Sequence, residues 1–262
     1  MTRKLRRGPG FELALEIRDD DFIHPPRDAQ RHWLLNRFLR EAADDLTALD
    51  AVARRFVPGG ERDLPPDLRA ASLTDAQIME DWQLPLMEAM AAIAARAGGD
   101  VLEIGFGRGV SADLMQRRGV RSHTIVECNP TIVERCEQWR GAHADRDIRV
   151  VPGLWQEVIG TLGQFDAVFF HTYALDEDEA VELLARSVTF AAHFFPAAAE
   201  HLRTGGVLTY LTGEIDSLSR AHQRLLLDHF AGFRVQRVPL QVPDDVQDAW
   251  WADSMMVVEA VR

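Results

Sequence analysis

The sequence predicts an α/β fold with a mostly parallel sheet. Five short apolar segments alternate with segments in which apolar residues recur at helical spacing, a pattern typical of parallel strands joined by crossover helices. Two further strand-like segments near the C-terminus follow each other without a long helix between them, which predicts an antiparallel hairpin. The predicted architecture is therefore Rossmann-like, a mostly parallel seven-stranded sheet with an N-terminal helical cap.

The elements follow from local patterns of apolar residues, glycines and prolines. The seven predicted strands cover residues 101–104, 123–126, 148–151, 165–170, 207–211, 233–242 and 254–261. Thr74 is predicted to cap a helix that Pro85 interrupts and that resumes at residues 90–96. Further helices are expected at residues 32–56, 111–118, 130–140, 180–202 and 218–230, with a short one opening at 153–155 and a kink at Pro196.

Two domains are expected from this reading. Residues 1–70 are predicted to form a helical cap, and residues 71–262 a nucleoside-binding domain. An N-terminal helical segment ahead of a glycine loop serves either as a lid or as a cover for a sheet edge, and the sequence leaves both roles open.

A glycine-rich turn follows the first predicted strand and is the main functional motif. It has the pattern E-x-G-x-G-x-G, formed by Glu103, Gly105, Gly107 and Gly109. Glycine allows a tight turn and lets a ligand approach the backbone closely. Glu127 ends the next strand, 22 residues after Gly105, the spacing at which a βαβ unit places a carboxylate under a ribose.

The spacing of this turn distinguishes between nucleotide ligands. A dinucleotide motif, G-x-G-x-x-G, would need a third glycine at the position of Val110, and Glu103 would repel a pyrophosphate. The pattern instead favours a nucleoside without phosphates that carries a positive charge. S-adenosylmethionine (SAM) is therefore the predicted cofactor.

Composition limits the remaining function classes. A net charge of −12 argues against nucleic acid as a partner, and no apolar run is long enough to span a bilayer. No signal peptide is recognisable at the N-terminus, and Cys128 and Cys136 are too few for a disulfide framework or a zinc cluster. We therefore expect a cytoplasmic protein that acts on a small molecule and contains no metal, and a homodimer is one assembly that the sequence leaves open.

The carboxyl ends of the strands supply the candidate site residues, because ligands of open α/β sheets bind there. Glu127 is expected to accept hydrogen bonds from the ribose hydroxyls. Trp155 either packs beside the adenine or belongs to the core. His171 follows the strand at residues 165–170, where an imidazole takes a proton near neutral pH. The alternative is a histidine held by a backbone hydrogen bond with no chemical role.

Six stretches between residues 78 and 212 resemble one known family. They read IMEDWQLPLM, VLEIGFG, IVECN, GLWQEV, FDAVFFHTYAL and GGVLTY, and in this order they resemble guanidinoacetate N-methyltransferase and its relatives, class I SAM-dependent methyltransferases. The resemblance implies cofactor contacts from Met79, Met87, Phe106, Gly107, Arg108, Gly109, Val110, Ser111, Glu127, Cys128, Asn129, Trp155 and Gln156. The glycine turn adds Glu103 and Gly105 as predicted cofactor residues, and His171 is predicted to lie near the methionine end.

The sequence departs from this family where the acceptor binds. Two acids hold the guanidino group in the family, and Gln83 and His171 stand at the matching positions here. A guanidinium seeks planar carboxylate partners, so these replacements argue against guanidinoacetate as the acceptor. His171 is expected to take the acceptor's proton, Gln83 and Tyr173 to orient the acceptor, and Glu214 to hold a cationic group.

Three functional hypotheses remain after the sequence is read. The first is methyl transfer from SAM to a small amine- or amino-acid-like acceptor. The second is a SAM-consuming cyclase resembling azetidine-2-carboxylate synthase, in which the α-amine of SAM attacks its own γ-carbon and methylthioadenosine leaves. The third is a non-catalytic SAM-binding module. Loss of both guanidino-binding acids motivates the second and third hypotheses.

Overall fold

The computed structural model describes residues 72–175, 187–243 and 252–262. The predicted cap at residues 1–70, with its helical segment at 32–56, lies outside the described residues. Within the described ranges, no helix combines the length and apolar character needed to cross a membrane. The described ranges all fall within residues 71–262, the predicted nucleoside-binding domain.

Seven strands of the described chain form one sheet with the order β3-β2-β1-β4-β5-β7-β6. The strands are β1 Asp100–Ile104, β2 Ser122–Glu127, β3 Asp147–Pro152, β4 Phe165–Phe170, β5 Leu202–Tyr210, β6 Gly232–Pro239 and β7 Ser254–Val261. Strands β1 to β5 pair in parallel, whereas β7 is antiparallel to both β5 and β6. The predicted mostly parallel sheet with a C-terminal antiparallel hairpin is confirmed.

The strands are connected by helices of varied length. The α-helices of the described chain are α1 Asp75–Ile78, α2 Leu84–Ala94, α3 Val110–Arg117, α4 Pro130–Gly141, α5 Trp155–Val158, α6 Phe195–His201 and α7 Arg220–His229. Three 3₁₀ turns accompany them, at Asp81–Gln83, Ile159–Thr161 and Phe190–Phe194.

Thr74 and Pro85 show how local sequence sets the helix starts. Thr74 caps α1 as predicted, and it exchanges hydrogen bonds with Gln77 in a capping box. The predicted interruption at Pro85 is wrong, because Pro85 stands in the first turn of α2 and the helix continues from Leu84 to Ala94. Proline is tolerated there, since the first N–H groups of a helix have no intrahelical partner.

The single helix predicted for residues 180–202 is also wrong in its described part. A 3₁₀ turn at Phe190–Phe194 precedes α6, and Leu202 already belongs to β5. Pro196 lies in the first turn of α6, where it begins a new helix instead of kinking a long one. Strand β5 starts at Leu202, before the glycines Gly205 and Gly206 at which its start was predicted. Its pairing with β4 shifts register between Phe165 and Ala167.

Apolar side chains cover both faces of the sheet. Helix α2 packs on one face, where Met87 and Met90 are fully buried with Phe169 of β4. Helices α6 and α7 cover the other face around Phe195 and Leu226. Because β1, β2, β3 and β4 pair in parallel, their carboxyl ends lie side by side at one edge of the sheet, and some of the predicted site residues lie there.

Candidate cofactor and catalytic site

The glycine turn passes directly against the end of β4. Gly105 follows β1 with φ +89°, and its N–H donates to the carbonyl of Val126 over 2.9 Å. A Cβ at Gly105 would lie 2.3 Å from the carbonyl oxygen of His171, so only glycine fits. Glycine at this position therefore lets the turn after β1 pack directly against the end of β4.

Glu127 joins the two loops on either side of the site. One carboxylate oxygen accepts hydrogen bonds from the backbone N–H of Phe106 over 2.9 Å and of Gly107 over 3.5 Å. The other accepts from the N–H groups of Cys128 over 2.8 Å and Asn129 over 2.9 Å. The carboxylate thus fixes the glycine turn against the turn after β2 and lies at the predicted ribose position.

A cleft that is open to solvent lies over these loops. Of the predicted site residues, the cleft brings together Gly105, Glu127, Cys128, Trp155, Gln156 and Tyr173. Trp155 was predicted either to pack beside the adenine or to belong to the core. It lines the cleft, and its ring also packs edge-on against the buried Phe194 ring, with 4.9 Å between the ring centroids.

Several cleft residues were missed by sequence reasoning. They are Val126, Leu175, Phe190 and His193. Phe190 and His193 belong to the 3₁₀ turn that the predicted long helix concealed, and no motif marked them. Ile104, Gly153, Leu154 and Thr172 also line the cleft, and they lie within strand ends that the sequence predicts to converge.

His171 is a partly buried imidazole beside the glycine turn. Its backbone N–H donates to the carbonyl of Ile104 over 3.1 Å, and its Nε2 lies 3.5 Å from the Tyr173 hydroxyl oxygen. Burial lowers the pKa of His171 from 6.5 to about 4. The ring is therefore neutral at physiological pH, and it is suited to hydrogen bonding more than to holding a proton.

The lowered pKa of His171 predicts an acid-sensitive fold. Because the unfolded chain protonates this ring near 6.5 and the folded chain only near 4, stability should fall as pH drops through that window. The expected loss is about 2 kcal/mol after allowance for solvent screening. Urea unfolding of wild type and His171→Asn at pH 7.5 and pH 4.5 measures it. Equal pH dependence in the two proteins would contradict the assignment.

Three predicted residues lie around α2, outside the cleft lining. Met79 and Gln83 are buried in the segment before α2, and Met87 is buried in α2 itself. Arg108 reaches this segment from the glycine turn, where its Nη1 donates to the carbonyl of Met79. The cofactor roles of Met79, Met87 and Arg108 and the acceptor role of Gln83 stay predictions.

Glu103 lies behind the glycine turn with no exposed surface. Its carboxylate accepts a hydrogen bond from the Ser111 hydroxyl and lies 3.0 Å from Nε2 of His123. These contacts tie β1 to α3 and β2. Any effect of Glu103 on a ligand is thus exerted through the protein interior.

Glu214 is held in a buried chain of hydrogen bonds. Its carboxylate accepts from the N–H of Ser219 at 3.1 Å and lies 3.1 Å from Nδ1 of His222. Nε2 of His222 lies 2.6 Å from the Tyr210 hydroxyl oxygen. To hold a cationic acceptor, as predicted from the sequence, Glu214 would have to give up these partners.

Comparison of the sequence with protein-family models identifies one family. The family model for guanidinoacetate N-methyltransferase matches residues 67–222, more than half of the chain. The chain belongs to this family. The guanidinoacetate N-methyltransferase family consists of class I SAM-dependent methyltransferases, and SAM is its cofactor. The glycine turn and the Glu127 carboxylate of this chain fit that cofactor.

More distant relatives carry other names. The chain is 27% identical over 115 residues to protein arginine N-methyltransferase 2 of Eremothecium gossypii, covering 40% of this chain and 28% of that protein. The Yarrowia lipolytica protein of the same name is 27% identical over 146 residues, covering 52% and 28%. Spermidine synthase from Thermotoga maritima gives a TM-score of 0.48 at 15% identity, covering 68% and 59%. The chain therefore spans little more than a quarter of the curated relatives.

Proposed function

We propose that the protein transfers the methyl group of SAM to a small amine- or amino-acid-like acceptor whose reactive atom is neutral, and not to guanidinoacetate. The observation that carries the proposal is the electrostatic character of the acceptor side. The two positions that hold acids in the family are occupied by the Gln83 amide and by the His171 imidazole, whose lowered pKa keeps it neutral.

The cofactor would be held at the ends of β1, β2 and β3. Glu127 would accept hydrogen bonds from the ribose hydroxyls, Trp155 would lie beside the adenine, and Gln156, which lines the same cleft, would contact the cofactor. The turn would take this shape only with glycine, because a side chain at Gly105 would meet the His171 carbonyl and one at Gly107 would meet Ile78. When bound, SAM supplies a methyl group on a positively charged sulfur.

A guanidinium acceptor is disfavoured by the charges near Gln83 and His171. Two carboxylates would balance its delocalised cation, and Glu214, the acid that the sequence predicts as a substitute, is already bonded to Ser219 and His222. The same reasoning applies to arginine, the acceptor that the names of the yeast relatives indicate. A neutral nitrogen or oxygen nucleophile needs no such partner.

His171 and Tyr173 would orient the acceptor. A neutral imidazole nitrogen accepts a hydrogen bond from an N–H or O–H, and this contact aims the lone pair of the acceptor at the methyl group. The low pKa of His171 means that the acceptor must arrive with its reactive atom already deprotonated. It also disfavours the cyclase hypothesis, in which this ring would have to remove a proton from the ammonium of SAM.

An acceptor panel tests the proposal. SAM is supplied with primary amines, amino acids, phenols or guanidinoacetate, and S-adenosylhomocysteine (SAH) is quantified by mass spectrometry. We expect SAH with at least one neutral nucleophile, none with guanidinoacetate, and about a 100-fold lower kcat/KM for His171→Ala. His229→Ala, a histidine of α7 outside the cleft, is the control and should match wild type. Preferred methylation of guanidinoacetate would overturn the proposal.

A further inference from the structure

Residues 75–83 form a short strap beside the glycine turn. The strap contains α1, the 3₁₀ turn Asp81–Gln83 and the two residues between them. We infer that Arg108 is a positioning residue that holds this strap against the glycine turn. Cofactor affinity and the placement of Gln83 then both depend on the Arg108 side chain. The part of this inference that concerns the cofactor rests on the proposed function.

Arg108 makes two contacts to the strap through one nitrogen. Its Nη1 donates to the carbonyl of Met79 over 2.8 Å and to the Asp81 carboxylate over 2.7 Å. The Arg108 side chain is 24% exposed, whereas that of Asp81 is 76% exposed. The bond to the Met79 carbonyl is therefore the stronger anchor, since an exposed ion pair contributes little.

Packing between the strap and the turn accompanies the Arg108 contacts. A Cβ at Gly107 would lie 2.8 Å from Cγ2 of Ile78, so the strap rests directly on the glycine turn. Met79 and Gln83 are almost fully buried in this arrangement. Movement of the strap would expose Met79 and displace Gln83, the amide predicted to orient the acceptor.

The strap needs an external anchor because it cannot hold its own shape. Helix α1 has only four residues, too few for a helix that is stable by itself. A second ion pair joins Asp75 of the strap to Arg135 of α4 over 2.8 Å, but both side chains are substantially exposed, at 62% and 39%. Arg108 is thus the better-buried of these two arginine tethers.

The tether has a consequence for ligand binding. If only the closed strap completes the site, the apparent Kd equals the intrinsic Kd divided by the closed fraction. Removing the Arg108 side chain lowers that fraction. It weakens cofactor binding even when the arginine does not touch the cofactor.

Four variants and two measurements test the inference. SAH affinity is measured by calorimetry, and hydrogen exchange of the strap amides is measured on the ligand-free protein. We expect Arg108→Ala to weaken SAH binding about 30-fold and to speed strap exchange, and Asp81→Asn to do both by about threefold. Arg108→Lys should fall between them, because lysine keeps the charge but places it on a more flexible side chain without the planar guanidinium. Arg135→Ala is the control, expected within twofold of wild type.

The outcomes separate the tether from a direct ligand contact. Strap exchange in Arg108→Ala equal to that of wild type would overturn the inference, whatever happens to affinity. Faster strap exchange in Arg108→Ala with SAH affinity equal to that of wild type would also overturn it, because the inference couples the two. If wild type does not bind SAH, the proposed function fails, while strap exchange in the ligand-free protein still tests the tether.

Discussion

Replacing Glu127 by glutamine is expected to raise the Kd for SAH by at least about 100-fold. The carboxylate accepts four backbone hydrogen bonds, two from each adjoining loop. A glutamine side chain presents an NH₂ group to one of these pairs, where two donors then face each other. The same substitution removes the charged acceptor proposed for the ribose hydroxyls; a hydrogen bond to a charged group contributes about 1.5–3 kcal/mol, and about 2.7 kcal/mol corresponds to a hundredfold change in affinity.

Calorimetry with SAH measures this effect directly. Glu134→Gln is the matched control, because Glu134 is an exposed acid of α4, and it should bind SAH like wild type. Thermal unfolding of both variants shows whether Glu127→Gln remains folded. Unchanged SAH affinity in a folded Glu127→Gln variant would contradict the assigned ribose role.

His222→Ala should be the most destabilising of the substitutions considered, with a loss of about 3–5 kcal/mol. His222 is fully buried between the Tyr210 hydroxyl and the Glu214 carboxylate. Burial raises the pKa of Tyr210 well above its usual value, so its hydroxyl keeps its proton and shares a hydrogen bond with Nε2 of His222. Removing the imidazole leaves a buried hydroxyl and a buried carboxylate without their shared partner.

Urea unfolding at pH 7.5 measures the stability of this variant. Tyr210→Phe should cost only about 1 kcal/mol, since it removes one hydrogen bond and leaves His222 paired with Glu214. His229→Ala is the control from the same helix, because His229 contacts the Phe195 ring but joins none of these hydrogen bonds. A loss below about 1 kcal/mol in His222→Ala would show that the buried chain is not a major source of stability.

The strands were predictable because parallel strands are short apolar runs bounded by glycine and polar residues. The prediction for β7 matches the structure at both ends, and β1 and β2 differ by a residue or two. The errors at Pro85 and Pro196 share one cause. Proline was interpreted as interrupting a helix, whereas in both places it stands in the first turn of a new one.

The site was predictable where it depends on backbone and not where it depends on packing. Gly105 and Glu127 follow from spacing along a βαβ unit, and the structure places them together. The placement of His193 at the cleft depends on a 3₁₀ turn that carries no sequence signal. The pairing of Glu214 with His222 depends on how α7 packs against the end of β5, which spacing alone does not reveal.

The nucleosides released from SAM distinguish methyl transfer to a second molecule from a reaction that consumes SAM alone. Purified protein is incubated with SAM alone and then with the acceptor panel, and SAH and methylthioadenosine are both quantified by mass spectrometry. A methyltransferase for a neutral acceptor leaves SAM intact in the first incubation and releases SAH in step with methylated product in the second. Methylthioadenosine formed without any acceptor would contradict this account and establish a SAM-consuming cyclase or lyase instead.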